Sequence, residues 1–126
     1  MVKLESLKKS NQFKKALKEK KVHSEYFSIF AAKNFYKPKY KNNLLISFVM
    51  KKKIGNAVKR NKIRRKLKAI VQKLLKKRGA ISKDYTYIVF GKSNTYLQKQ
   101  STLIPMMEKS FNTIKIKYKN AASISK

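Results

Sequence analysis

Apolar residues recur along this chain in two rhythms, one helical and one extended. Phe13, Ala16 and Leu17 keep the i, i+3, i+4 spacing of one helical face, with Lys14, Lys15 and Lys18 on the others. That spacing predicts a short helix over about residues 9–20, with Lys9 or Ser10 near its start. Residues 26–32 read Tyr-Phe-Ser-Ile-Phe-Ala-Ala, aromatic and apolar on both faces, which predicts a strand covered on both sides. Residues 44–50 predict a second such strand. Pro38 and the Asn42-Asn43 pair lie between the two, so 35–43 reads as the loop of an antiparallel hairpin. Further on, Ile63, Leu67, Ile70, Val71, Leu74 and Leu75 form one stripe at helical spacing. The helix they predict has Asn56 as N-cap, runs to Arg78 and stops at Gly79 in the C′ position. A strand follows at 85–90, making a β-helix-β unit. The last helix, roughly 102–116, carries Leu103, Met107, Phe111 and Ile114 on one face. Pro105 is tolerated only in a first turn, which puts the start at 102–104. The tail from about 117 is expected to be disordered.

Composition makes these elements one domain. The chain has 126 residues, 42% of them hydrophobic, with seven Phe and seven Tyr, enough for a single core rather than a disordered basic tail. Charge then changes the picture: 34 Lys and Arg against 5 Asp and Glu give a formal net charge of +29. Self-repulsion at that charge destabilises the compact state, so a polyanionic partner is expected, either nucleic acid or an anionic membrane surface. The charge is also localised. Residues 26–83 contain no acid and 19 Lys or Arg, 10 of them between 51 and 68.

Much chemistry is excluded. Without Cys there is no disulfide, thiolate zinc site or cysteine nucleophile. One His cannot supply a metal cluster, and glycines only at 55, 79 and 91 cannot build a P-loop or a dinucleotide fingerprint. The carboxylates Glu5, Glu19, Glu25, Asp84 and Glu108 are scattered, which argues against a two-metal nuclease site held by protein ligands. The longest apolar stretch, 44–50, is 7 residues interrupted by Ser47, against about 20 for a membrane span. No signal-peptide block opens the chain, so a soluble, cytoplasmic protein is expected.

The chemistry concentrates in the long helix. At about 100° per residue from Ile63, the residues Arg60, Arg64, Lys68, Asn61 and Arg65 fill one continuous arc beside the buried stripe. Lys59, Arg60 and Lys62 crowd the first turns, where the helix dipole disfavours cations, so an external anion accounts for them better than local stability does. Three of only four arginines are Arg60, Arg64 and Arg65. Guanidinium pairs with phosphate oxygens through two N–H bonds, whereas lysine acts mainly as a point charge.

The block from 52 to 65, Lys-Lys-Ile-Gly-Asn-Ala-Val-Lys-Arg-Asn-Lys-Ile-Arg-Arg, resembles the signature of the bacterial ribonuclease P protein component. The element order agrees over roughly residues 4–117. The resemblance implies an α/β two-layer sandwich of about four strands and three helices, with a left-handed β-α-β crossover around the motif helix. Statistics alone would favour the right-handed form. It also implies that the catalyst is an RNA subunit with Mg²⁺, cleaving precursor tRNA to mature its 5′ end, and that one protein monomer assists it. By position in the motif, Lys52, Lys53, Asn56, Arg60, Asn61, Lys62, Arg64, Arg65 and Lys68 would meet the RNA subunit. Phe13, Leu17 and Phe30 would line a cleft for the single-stranded leader, although ordinary core packing explains Phe13 and Leu17 equally well. Leu17 stands where many relatives have an aromatic residue. Met50-Lys51 replaces smaller residues, putting bulk and an extra charge at the cleft's edge. His23 falls in a link of uncertain alignment and is assigned no role. A structural ribosomal RNA-binding protein shares the charge and small size and is the alternative; an autonomous nuclease or a membrane-binding helix fits less well.

Overall fold

The computed structural model describes residues 3–7, 10–33, 43–77 and 79–124. The expected hairpin loop, apart from Asn43, lies outside the described residues, as do Lys9 and Arg78. In chain order the elements are β1 (Leu4–Glu5), α1 (Ser10–Lys18), β2 (Lys20–His23), β3 (Phe27–Lys33), β4 (Leu44–Val49), a 3-10 turn (Lys52–Ile54), α2 (Ala57–Leu74), β5 (Tyr85–Gly91), a second 3-10 turn (Ser93–Leu97) and α3 (Gln100–Ile124).

One sheet has the order β1-β4-β5-β3-β2. This corrects the expected hairpin: β3 and β4 are not partners, because β5 lies between them, antiparallel to β3 and parallel to β4. All three strands are apolar on both faces, so each seeks a covered interior position. The β4-α2-β5 crossover supplies the parallel pair. Five strands replace the expected four because the edges are completed by β1 on β4 and β2 on β3. Neither edge strand has an apolar rhythm to reveal it. Lys20–His23 contains a single apolar residue, and lysine-rich edges suit strands that must not recruit further strands.

The larger core lies on one sheet face. There Phe27, Ile29 and Ala31 of β3, Leu44 and Ile46 of β4, and Tyr87 and Val89 of β5 meet the stripe Ile63, Leu67, Ile70, Leu74 of α2 and Leu103, Met107, Phe111, Ile114 of α3. The opposite face carries a smaller cluster of Leu7, Ala16, Ala32 and Ile88, with Phe13, Phe30, Val49 and Phe90 packed around it. Helix α1 packs over part of this second face as a partial third layer, and the described residues leave a strip of sheet open.

Asn56 is the N-cap of α2, its side chain accepting from Lys59 N at 2.9 Å. The helix ends at Leu74 rather than Arg78, because Lys76 N and Lys77 N bond to the carbonyls of Lys73 and Leu74 in three-residue turns. Helix α3 starts at Gln100, two residues before the expected start, so Pro105 lies in the second turn and the carbonyl of Ser101 gets no helical N–H partner there. Its backbone continues as helix to Ile124, past the expected end at 116, through a segment without Pro or Gly.

Candidate nucleic-acid interface

Because β4 and β5 are parallel neighbours, the segments leaving their C-terminal ends emerge side by side. One is the basic loop entering α2; the other is the 92–97 segment. Gly55 makes the entry possible, with φ +155°, a conformation side chains resist. At the C-terminal end of β5, Gly91 allows α2 to approach the sheet: a Cβ there would stand 2.5 Å from Met50 Sδ and 2.9 Å from Ile63 Cγ2. Met50 is therefore buried beneath the helix, which corrects the expectation that its bulk sits at the cleft's edge. Lys51 does stand at that edge.

A cavity of about 430 Å³ opens between these segments and the uncovered strip of the sheet. Phe30 and Phe90 form its apolar wall, edge to face with ring centroids 5.3 Å apart. Register explains the pairing, since Phe90 lies between Ser28 of β3 and Val49 of β4 on the same face as Phe30. Lys51 Nζ sits 5.6 Å from the Phe90 centroid, and Lys53 and Lys92 also line the cavity. His23 completes one side. Its Nδ1 is 2.7 Å from Ser28 Oγ and its ring meets the edge of Phe30 at 6.3 Å. Among the described residues no carboxylate lines the cavity. Ring faces beside ammonium groups can take a single-stranded polyanion, bases against the rings and phosphates against the lysines.

Of the three cleft residues suggested by sequence, Phe30 lines this cavity; Phe13 is half-buried in the adjoining small cluster, and Leu17 is 40% exposed on α1 without lining it. Phe90, His23, Lys51 and Lys92 are brought there by the sheet. Phe90 belongs to the strand expected at 85–90, but its neighbours across the sheet are not readable from spacing along the chain.

The motif cations divide among several surroundings. Lys52 and Lys53 are exposed on the 3-10 turn, and Asn56 is committed to its cap. Along α2, Asn61, Lys62, Arg65 and Lys68 are exposed, with Arg60 and Arg64 half-buried beside them. Arg64 Nη1 donates to Asn61 Oδ1 at 2.9 Å, which pre-orients the guanidinium. Arg60 Nε is buried with no hydrogen-bond partner among the described residues. Two lysines on the other flank tie the interface together. Lys59 Nζ donates to Ser93 Oγ at 2.8 Å. Lys66 Nζ donates to the carbonyls of Thr95 (3.2 Å), Tyr96 (2.9 Å) and Gln98 (2.6 Å), clamping the second 3-10 turn. Burial first, and the Lys62 charge second, lower the Lys66 pKa from its ordinary value.

The sequence model of the ribonuclease P family matches residues 1–115. The chain belongs to the ribonuclease P protein family. Two curated relatives, each a ribonuclease P protein component, share 30% identity (Mycoplasma mycoides subsp. mycoides SC) and 28% (Mycoplasma capricolum subsp. capricolum) over 109 residues, 86% of this chain and 94% of theirs. The fold is that of solved ribonuclease P proteins. The Staphylococcus aureus structure superposes with a TM-score of 0.68 at 22% identity, and the Thermotoga maritima structure with 0.63 at 23%; each alignment covers 87% of this chain and 94% of the other. A ribonuclease P protein component is part of an endoribonuclease complex for tRNA processing, and its partner is an RNA subunit. Among the described residues no helix is long and apolar enough to cross a membrane.

Proposed function

We propose that this chain is the protein subunit of a cytoplasmic ribonuclease P holoenzyme, one copy per RNA, that binds the RNA subunit through the first half of α2 and the precursor tRNA 5′ leader through the Phe30–Phe90 cavity. One observation carries the reading: an acid-free arc of Arg and Lys on α2 and an aromatic, lysine-lined cavity meet at the C-terminal ends of β4 and β5. In this reading cleavage belongs to the RNA and Mg²⁺. Among the described residues no three His, Cys, Asp or Glu side chains come together, and in this reading RNA phosphates hold the Mg²⁺. The protein's contribution is to neutralise phosphate repulsion and to position the leader.

The test is reconstitution. Purified chain added to its cognate RNA subunit at low Mg²⁺ is expected to stimulate removal of the 5′ leader, with a larger gain for precursors with a long leader than for precursors with a very short one. Absence of stimulation would overturn the proposal.

A further inference from the structure

Val58 is out of character with its surroundings. It is 74% exposed, and at about 100° per residue it lies about 140° from Ile63, opposite the buried stripe and among Asn61, Lys62 and Arg65. An apolar β-branched side chain in that place covers no core and does not favour helix. The surface on both sides of it is concave. One depression, about 370 Å³, is walled by Ile54, Lys59 and Tyr96; the other, about 490 Å³, by Asn61, Lys62 and Arg65; Val58 is the ridge common to both. The Tyr96 ring is held by two ammonium groups, Lys59 Nζ at 5.4 Å and Lys62 Nζ at 4.8 Å from its centroid. Among the described residues no carboxylate lines either depression, and the first shares only Ile54 with the Phe30–Phe90 cavity.

We propose that the Val58 ridge and Tyr96 form a second docking site, taking an unpaired nucleotide of the RNA subunit; this rests on the RNA-binding reading above. Charge complementarity selects the occupant. An apolar ridge ringed by Lys59, Lys62 and Arg65 suits a ligand with apolar faces and negative flanks, and an unstacked base between two phosphates has that form. Apolar contact releases no counterions, so it adds affinity without salt dependence, unlike the phosphate pairing of the same helix.

The difference gives the test. Affinity for the full-length cognate RNA subunit is measured over a salt series at fixed Mg²⁺ for the intact chain, Val58→Ala and Val58→Lys. Alanine at this exposed helical position leaves the fold intact. Val58→Ala is expected to bind about fivefold more weakly with an unchanged salt slope, and Val58→Lys to bind no more tightly than Val58→Ala despite its added charge. Unchanged affinity for Val58→Ala, or tighter binding with a steeper slope for Val58→Lys, would overturn the proposal and leave the RNA-binding reading standing. Loss of a co-purifying protein from Val58→Ala holoenzyme, with RNA affinity intact, would also overturn it. An intact chain that binds no cognate RNA would remove both readings.

Discussion

Arg64 and Lys66 stand two residues apart on α2, and their charges serve different ends. Arg64 is held by Asn61 with its guanidinium at the surface, whereas Lys66 is turned inward onto three carbonyls. Substituting Arg64 and Arg65 by Gln is expected to weaken RNA binding and to flatten its log–log salt slope by about 0.7–0.9 for each phosphate no longer neutralised, with the melting temperature nearly unchanged. Lys66→Met is expected to do the reverse. Leaving three carbonyls without their charged donor should cost about 1–3 kcal/mol in thermal or denaturant unfolding, while the salt slope stays as it was. A slope that falls as much for Lys66→Met as for the arginines would mean that Lys66 meets phosphate. Phe90→Leu keeps an apolar side chain and removes the ring. It is expected to weaken binding of leader-bearing precursor by about 1–3 kcal/mol, the range for one stacked base, and to leave leaderless tRNA unaffected.

At the scale of elements, the entry into α2 shows what local sequence can specify. Asn56 caps where an Asn before a helical stripe should, and the α1 face, the α2 stripe and the three central strands follow the apolar spacing. Gly55→Ala is expected to destabilise the fold by about 1–3 kcal/mol, the range for a side chain forced into a glycine conformation, and to weaken RNA binding by misplacing Lys52 and Lys53. Unfolding and binding curves of the same variant check both. Edge strands were less legible. Residues 20–23 become β2 because β3 presents an open edge, and only Val22 reaches the core. A lysine-rich tetrapeptide carries no rhythm strong enough to announce this.

For the molecule as a whole, the close approach of α2 to the sheet links the core to the interface. Gly91→Ala places a methyl group against Met50 and Ile63, an overpacking expected to cost about 1–3 kcal/mol. Met50→Ala removes one of the two obstacles, so the double variant should be more stable than the sum of the single effects. Strict additivity in a double-mutant cycle would show that the close approach is not the cause. Spacing along the chain was enough to settle the helices and central strands, the concentration of cations at 51–68 and the motif that places the chain in its family, because each depends on residues a few positions apart. The order of strands, and with it the meeting of Phe90 with Phe30, His23, Lys51 and Lys92, came from folding. So did the division of the lysines into those that clamp the protein and those left facing outward. A charge pattern is local, but a side chain's neighbours across a sheet are set by which strands pair, and that depends on how three helices and five strands together remove apolar surface from water.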